Sequence, residues 1–260
     1  MKGLKQWPLR PTVIAREFSA VARARRDQRP LAVGGALAPQ LRKELVAGGD
    51  ETAVTLSGPE GAAAYIHVLG GAVNDEDRHA LEAAKKAGVP IVVLARDRSY
   101  VPHVLAQDIV VVESGKGFPI DELAHVLVRH AAGGLPLAGR LPVIRPAVCE
   151  ALVRTASLQN GLIGAAVFLP GVDLPVLTIN QLRLVLRIAA AHGLEIGPGR
   201  MPEALGIVGA ALGFRTVARS FAGLVPGLGW AVKGGVAYTG TRALGEAAVR
   251  VYEARSPASQ

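Results

Sequence analysis

Three closely spaced prolines divide the chain into two parts with different hydrophobic patterns. Pro136, Pro142 and Pro146 preclude a continuous helix across residues 135–146, because proline lacks the backbone N–H that a helix interior needs. Short apolar runs alternate with helix-like segments before this stretch, whereas the pattern after it is helical throughout. The sequence therefore predicts a basic amphipathic N-terminal helix within residues 1–30, an α/β domain over 31–134, a Pro-rich linker over 135–146, a helical domain over 147–254 and a disordered tail over 255–260.

The α/β domain is predicted from runs of strand type that alternate with runs of helix type, a pattern typical of a largely parallel sheet. Four strands are expected, and Val54-Thr55-Leu56 leaves a fifth open. The other strands are predicted at residues 31–33, 64–69, 91–94 and 108–112, and the helices at 38–47, 75–87 and 120–132. The fold class is therefore α/β plus all-α.

The helical domain is predicted as four helices separated by Pro/Gly-rich corners. The two corners Leu169-Pro170-Gly171 and Val225-Pro226-Gly227 resemble each other and each follows an apolar run. The predicted helices cover residues 147–168, 175–192, 202–222 and 228–254, and the corners lie at 170–171, 197–199 and 226–227. This arrangement favours helical hairpins or a bundle.

Charge and cysteine content restrict the partners and the compartment. The net charge of +8 and the isoelectric point near 10.1 favour anionic surroundings. The basic residues are not interleaved with aromatic residues that stack bases, so nucleic acid is not an expected partner. The single cysteine, Cys149, excludes an internal disulfide framework and a Cys-rich zinc site. Since the first residues lack the apolar core of a secretory signal, we expect a cytoplasmic location.

An amphipathic helix is predicted over Val13–Arg26, after a capping Thr12. Its apolar face carries Ile14, Phe18, Val21 and Ala22, and its basic face carries Arg16, Arg23 and Arg26. Two interpretations remain open. The helix binds a membrane surface, or it lies over the next domain with a solvated basic back.

The longest stretch without charge, residues 155–172, is almost long enough to span a membrane. It contains Ser157, Gln159 and Asn160, and the following predicted helices carry the pairs Arg183/Arg187 and Arg215/Arg219. A central arginine costs about 2.5–3.5 kcal/mol on an insertion scale, so independent spanning is disfavoured. Three alternatives remain: a soluble helical bundle, a peripheral helical domain, or hairpins that dip into one leaflet while these arginines contact anionic headgroups.

Signals for nucleotide and metal chemistry are weak. A phosphate-binding Walker loop read from Gly34 would require Gly, Lys and Ser or Thr where the chain has Pro39, Gln40 and Leu41. The six histidines show no metal-ligand spacing, so no metal is expected. No cofactor and no catalytic residue is expected either. The candidates for nucleotide binding follow predicted strands, and they are Gly34, Gly35, Asp97, Ser114 and Lys116.

The second part resembles the DUF697 domain, a bacterial domain of unknown function that is related to YcjF-type membrane proteins and is often joined to GTPase domains. The resemblance covers residues 147–254 and none of its motifs is catalytic. The segments that carry it are Val167 to Pro175, Asn180-Gln181-Leu182-Arg183, Ala191-His192-Gly193, Leu224-Val225-Pro226-Gly227-Leu228-Gly229-Trp230 and Thr241 to Gly245.

The resemblance implies a GTPase-like first domain, in which Ser114-Gly115-Lys116 lies where such domains carry their last base-contacting loop. Ala95-Arg96-Asp97-Arg98 occupies the place of the N-K-x-D motif and lacks its Asn, Lys and final Asp. We therefore expect a GTPase-like scaffold without nucleotide chemistry, in a non-enzymatic protein that binds an anionic membrane surface or a protein partner at the cytoplasmic face. The alternatives are nucleotide binding or hydrolysis through a nonstandard loop, and a soluble cytoplasmic interaction module. The predicted contact residues are Phe168, Leu169, Pro170, Arg183, Arg187, Arg215, Arg219, Val225, Pro226 and Trp230.

Overall fold

A computed structural model describes residues 11–130, 134–166, 173–196, 206 and 229–254. These residues fall into two compact units. The α/β unit lies within Arg25–Val148, and the helical unit comprises the described parts of Met1–Ala24 and Cys149–Gln260.

The α/β unit contains a five-stranded sheet in which every pairing is parallel. In spatial order the strands are β2-β1-β3-β4-β5, which confirms the predicted parallel sheet and includes the fifth strand that the sequence left open. The strands are β1 (Leu31–Gly35), β2 (Val54–Thr55), β3 (Ala64–Val68), β4 (Ile91–Ala95) and β5 (Ile109–Val111). The predicted fold class, an α/β domain followed by helices, is confirmed.

Helices cover the sheet because its strands are apolar on both faces, as parallel strands usually are. All five residues of β3 and of β4 are buried. The helices are α2 (Ala38–Leu45), α3 (Asp75–Lys86) and α4 (Ile120–His130), and each contacts at least one strand. A capping box between Asn74 and Asp77 begins α3, and Gly88 follows its end in a left-handed conformation.

The proline-rich segment packs as part of the α/β unit, although the sequence predicts a linker there. It forms the short helix α5 (Leu135–Ala138) and a single turn over Pro142–Ile144, and Leu137, Leu141 and Ile144 are buried. Arg140 donates a 2.8 Å hydrogen bond from Nε to the Asp50 carboxylate. The prolines therefore break the helix as expected, while the apolar residues between them extend the core.

The helical unit contains α1 (Pro11–Arg25), α7 (Asp173–Ala191), α8 (Gly229–Glu253) and, from Cys149 onward, α6 (Arg145–Ala166). Helix α1 groups with these later helices through nearly its whole length, and not with the α/β domain that follows it in sequence. Ile14, Phe18 and Val21 are buried, as the amphipathic pattern predicts, and Glu17 is buried beside them. The predicted helix over 202–222 and the corners at 170–171, 197–199 and 226–227 lie outside the described residues, apart from Gly206.

Small residues allow α6 and α8 to approach closely. A Cβ on Gly164 would lie 2.8 Å from the Ala237 Cβ, and a Cβ on Gly234 would lie 3.0 Å from the Ala165 Cβ. Real Cβ atoms do not approach so closely, so a larger residue at either glycine would push the two helices apart. Gly164 and Gly234 thus permit the close approach of α6 and α8.

Candidate functional site

The carboxyl edge of the parallel sheet gathers all five predicted nucleotide-binding residues. Gly34 and Gly35 end β1, Asp97 follows β4, and Ser114 and Lys116 follow β5. The strand order changes direction between β1 and β3. In open parallel sheets this switch point is the usual place for a ligand, outside the carboxyl ends of the strands.

The glycine pair at the end of β1 is explained by its packing against β3. A Cβ on Gly34 would clash with the hydroxyl of Tyr65, and a Cβ on Gly35 would clash with the carbonyl oxygen of Val68. Gly35 also has a φ of +82°, which favours glycine. Two residues further on, Leu37 is exposed and has a φ of +57°. This left-handed backbone conformation is energetically unfavourable for a residue other than glycine. Close packing against β3 therefore accounts for the two glycines beside the switch point.

Two polar groups of the candidate set are bonded within their own loops. The Asp97 carboxylate accepts a 2.8 Å hydrogen bond from the backbone N–H of Ser99, and hydrogen bonds from Ser99 lower the Asp97 pKa. The Lys116 ammonium lies 2.6 Å from the Glu113 carboxylate. Ser114 is exposed beside this pair. The fold brings the candidate residues to one edge of the sheet. Asp97 and Lys116, however, each interact with a residue of their own loop and not with each other.

A buried chain of polar side chains lies beneath the same edge. The Tyr65 hydroxyl is 2.9 Å from His67 Nδ1, and His67 Nε2 is 2.8 Å from the Asp77 carboxylate. The other Asp77 oxygen accepts the backbone N–H of Asn74 at 3.0 Å. His67 is 1% exposed. Burial raises the Tyr65 pKa, and the negative charges of Asp77 and Glu60 add to that effect.

This chain joins β3 to the first turn of α3 and satisfies each member's polar groups. The two distances fit the His67 tautomer that donates from Nε2 to the Asp77 carboxylate and accepts the Tyr65 hydroxyl at Nδ1. The sequence does not indicate the partners of His67. The available signal was the two-residue spacing of Tyr65 and His67, which places both side chains on one face of a strand. The three side chains are buried, and their hydrogen bonds hold α3 against β3 beneath the edge of the sheet.

In the helical unit, Arg183 forms an ion pair with another residue of the same unit. Its guanidinium donates hydrogen bonds of 2.8 Å and 2.9 Å to the two carboxylate oxygens of Glu17 on α1. Arg187 lies one turn further along α7, where desolvation and then the charge of Arg183 lower its pKa. Trp230 lies in the first turn of α8. The other predicted contact residues lie outside the described part of the chain: Phe168, Leu169, Pro170, Arg215, Arg219, Val225 and Pro226.

One face of α6 presents exposed apolar residues that the sequence did not single out. Leu158 is 52% exposed and Leu162 is 71% exposed. They are four residues apart and therefore on the same helix face, with exposed Arg154 one turn before them. Val176, near the start of α7, is also exposed. We call Arg154, Leu158 and Leu162 the α6 stripe.

The positive charge of the chain belongs to the helical unit. Its residue ranges contain 15 of the 29 lysines and arginines but only 7 of the 21 aspartates and glutamates, a net charge of +8. The remaining 14 basic and 14 acidic residues belong to the α/β unit, which is formally neutral. The α6 stripe therefore lies in a strongly basic unit.

No family model, no curated protein and no solved structure matches this chain. The resemblance to the DUF697 domain therefore stays a prediction. Among the described residues, no helix combines the length and the hydropathy required to cross a bilayer.

Proposed function

We propose that this chain is a non-enzymatic protein that docks peripherally on an anionic membrane surface, at the cytoplasmic face, through its helical unit. The observation that carries the proposal is the exposed α6 stripe in the unit that holds the whole net positive charge. An apolar stripe beside basic residues suits a helix that lies at the interface of anionic lipids. The GTPase-like α/β unit would serve as a scaffold without nucleotide chemistry.

The magnitudes explain why both features are needed. Burying a leucine side chain contributes about 1.5–3 kcal/mol, so Leu158 and Leu162 alone would give weak and transient binding. A basic residue near an anionic surface contributes about 1 kcal/mol, and salt screens this contribution. The two effects together give reversible binding that requires anionic lipid and weakens with salt.

The non-enzymatic part of the proposal is supported by the turn after β1. Pro39, Gln40 and Leu41 occupy the positions where a Walker loop needs its last glycine, its lysine and its hydroxyl. Gly34 and Gly35 are already accounted for by the clashes that a Cβ would make with β3. The glycines and the three following positions of this turn therefore give no indication of a phosphate-binding Walker loop.

Flotation with vesicles tests the proposal. The full chain should float with vesicles that contain phosphatidylserine, should not float with pure phosphatidylcholine, and should be released as salt is raised. A Leu158→Ser, Leu162→Ser double variant should lose most of the bound fraction. Leu105→Ser is the matched control, because Leu105 is similarly exposed but belongs to the neutral α/β unit.

Two results would overturn the proposal. One is a full-length chain that fails to float with anionic vesicles at low salt, which would favour a protein partner or a soluble interaction module. The other is a double variant that floats as well as the unmodified chain, which would place the lipid contact elsewhere.

A second candidate function is nucleotide binding through a nonstandard loop. It is favoured by one observation, that Gly34, Gly35, Asp97, Ser114 and Lys116 lie at or after the carboxyl ends of strands, at the same edge of the sheet. Titration calorimetry with GTP or ATP and magnesium tests it. Heat of binding that disappears in a Lys116→Gln variant would support this candidate, and no heat with either nucleotide would exclude it at the concentrations used.

A further inference from the structure

A layer of uncharged polar side chains crosses the helical unit where α6, α7 and α8 meet. Thr241 on α8 lies at its centre. Its Oγ1 accepts a hydrogen bond from Asn160 Nδ2 on α6 at 2.9 Å and one from Gln181 Nε2 on α7 at 3.3 Å. Asn180 Nδ2 donates to Asn160 Oδ1 at 2.9 Å. Asn160, Gln181 and Thr241 are fully buried, so the layer lies in the interior.

Two atoms of this region lack a partner among the described residues. Gln181 Oε1 and Ser157 Oγ are buried without a hydrogen bond. Ser157 lies one turn before Asn160 on α6, and its residue is fully buried as well. Interchanging the oxygen and nitrogen of the Gln181 amide would leave its other end unpartnered, so one end lacks a partner in either orientation. Buried polar atoms in native proteins almost always have a partner.

We propose that this layer is a binding site for one internal water molecule held by Gln181 Oε1 and Ser157 Oγ. Water can donate one hydrogen bond to the amide oxygen and exchange another with the hydroxyl, which satisfies both atoms. An ion fits less well, because the side chains of the region are uncharged and could not offset the loss of its hydration. They are Ser157, Asn160, Asn180, Gln181 and Thr241. The bound water would tie α6 to α7 at the level where Thr241 ties both to α8.

A double-mutant cycle tests the bridge. Ser157→Ala and Gln181→Met are made singly and together, and the urea midpoint of unfolding is measured for each. If one water joins the two side chains, the first substitution already removes it, so the midpoint shift of the double variant will be smaller than the sum of the single shifts. Gln181→Met also removes the hydrogen bond from Gln181 to Thr241. This loss is the same with and without Ser157→Ala, so it does not affect the deviation from additivity.

The matched control cycle combines Gln181→Met with Ser19→Ala. Ser19 is exposed on α1 and bonds the carbonyl of Ala15 in its own helix, so these shifts should add. Additive shifts in the Ser157 cycle as well would overturn the shared water.

A second measurement uses the unmodified chain and therefore does not depend on variants that fold. Cross-relaxation between water and the side-chain amide protons of Gln181 and Asn160 should show a long-lived bound water in NMR spectra. Absence of this signal from both amides would also overturn the proposal.

Discussion

The guanidinium of Arg183 and the carboxylate of Glu17 form a two-point contact between α7 and α1, with N–O distances of 2.8 Å and 2.9 Å. The hydrogen bonds from Arg183 lower the Glu17 pKa, and those same bonds raise the Arg183 pKa. The Glu17 side chain is almost fully buried, whereas Arg183 remains partly exposed. The contact therefore anchors the N-terminal helix to the helical unit.

We expect Glu17→Gln to lower the free energy of unfolding of the helical unit by about 1–2 kcal/mol. The substitution removes the negative charge and one of the two acceptor oxygens, while partial exposure lets water hydrate Arg183. Urea unfolding followed by circular dichroism measures the change. Glu246→Gln is the matched control, since Glu246 and Arg242 are both exposed and the loss of their ion pair should have no measurable effect. Equal effects of the two variants would contradict an anchoring role for Glu17.

Tyr65→Phe should lower the free energy of unfolding by about 1–3 kcal/mol. The substitution removes the hydroxyl that bonds His67 Nδ1 and leaves that nitrogen buried without a donor. The melting temperature of Tyr65→Phe is compared with that of the control variant Tyr100→Phe. Tyr100 is 86% exposed, so loss of its hydroxyl should not change the melting temperature measurably. An unchanged melting temperature for Tyr65→Phe would show that the buried chain adds little to stability.

Gly35→Ala should be among the most destabilising single changes in the α/β unit, at about 3 kcal/mol or more. It combines a left-handed backbone with a clash against the Val68 carbonyl. Gly88 has a similar positive φ, but a Cβ added there would meet no atom within 4 Å beyond its chain neighbours, so Gly88→Ala should cost only about 1 kcal/mol. Chemical denaturation of both variants separates the clash from the backbone effect. Similar losses would mean that the edge adapts to the added methyl group.

Stability should fall between about pH 4 and pH 2 through Asp50. Hydrogen bonds from the Thr52 hydroxyl and then from Arg140 lower the Asp50 pKa from 3.8 to about 2. A lowered pKa stabilises the fold above the unfolded value of 3.8, and this stabilisation is lost as the pH falls through the folded value. Because the Asp50 side chain is 39% exposed, we expect a contribution of roughly 1 kcal/mol after solvent screening.

Unfolding at a series of acidic pH values measures this contribution. Asp50→Asn should flatten the dependence between pH 4 and pH 2, whereas Asp75→Asn, at an almost fully exposed position, should leave it unchanged. If both variants keep the full dependence, the acid sensitivity arises from other carboxyl groups.

The order and type of the elements could be predicted because their signals are local. The apolar run at 89–94 predicts β4, and the glycine at 88 marks the end of α3. The prolines at 136, 142 and 146 correctly predict that no continuous helix crosses residues 135–146, since proline disrupts a helix interior. The parallel arrangement also follows, because alternating strands and helices pair in that way.

The contacts that define the candidate sites were not predictable in this way. Arg140 meets Asp50 and Arg183 meets Glu17 across 90 and 166 positions of sequence, and no periodic pattern records which distant residues will meet. The same limit explains why the sequence did not pair His67 with Asp77 and did not indicate the polar layer around Thr241. Residue types and their spacing specify local backbone geometry, whereas pairing and burial depend on how separate elements pack in three dimensions.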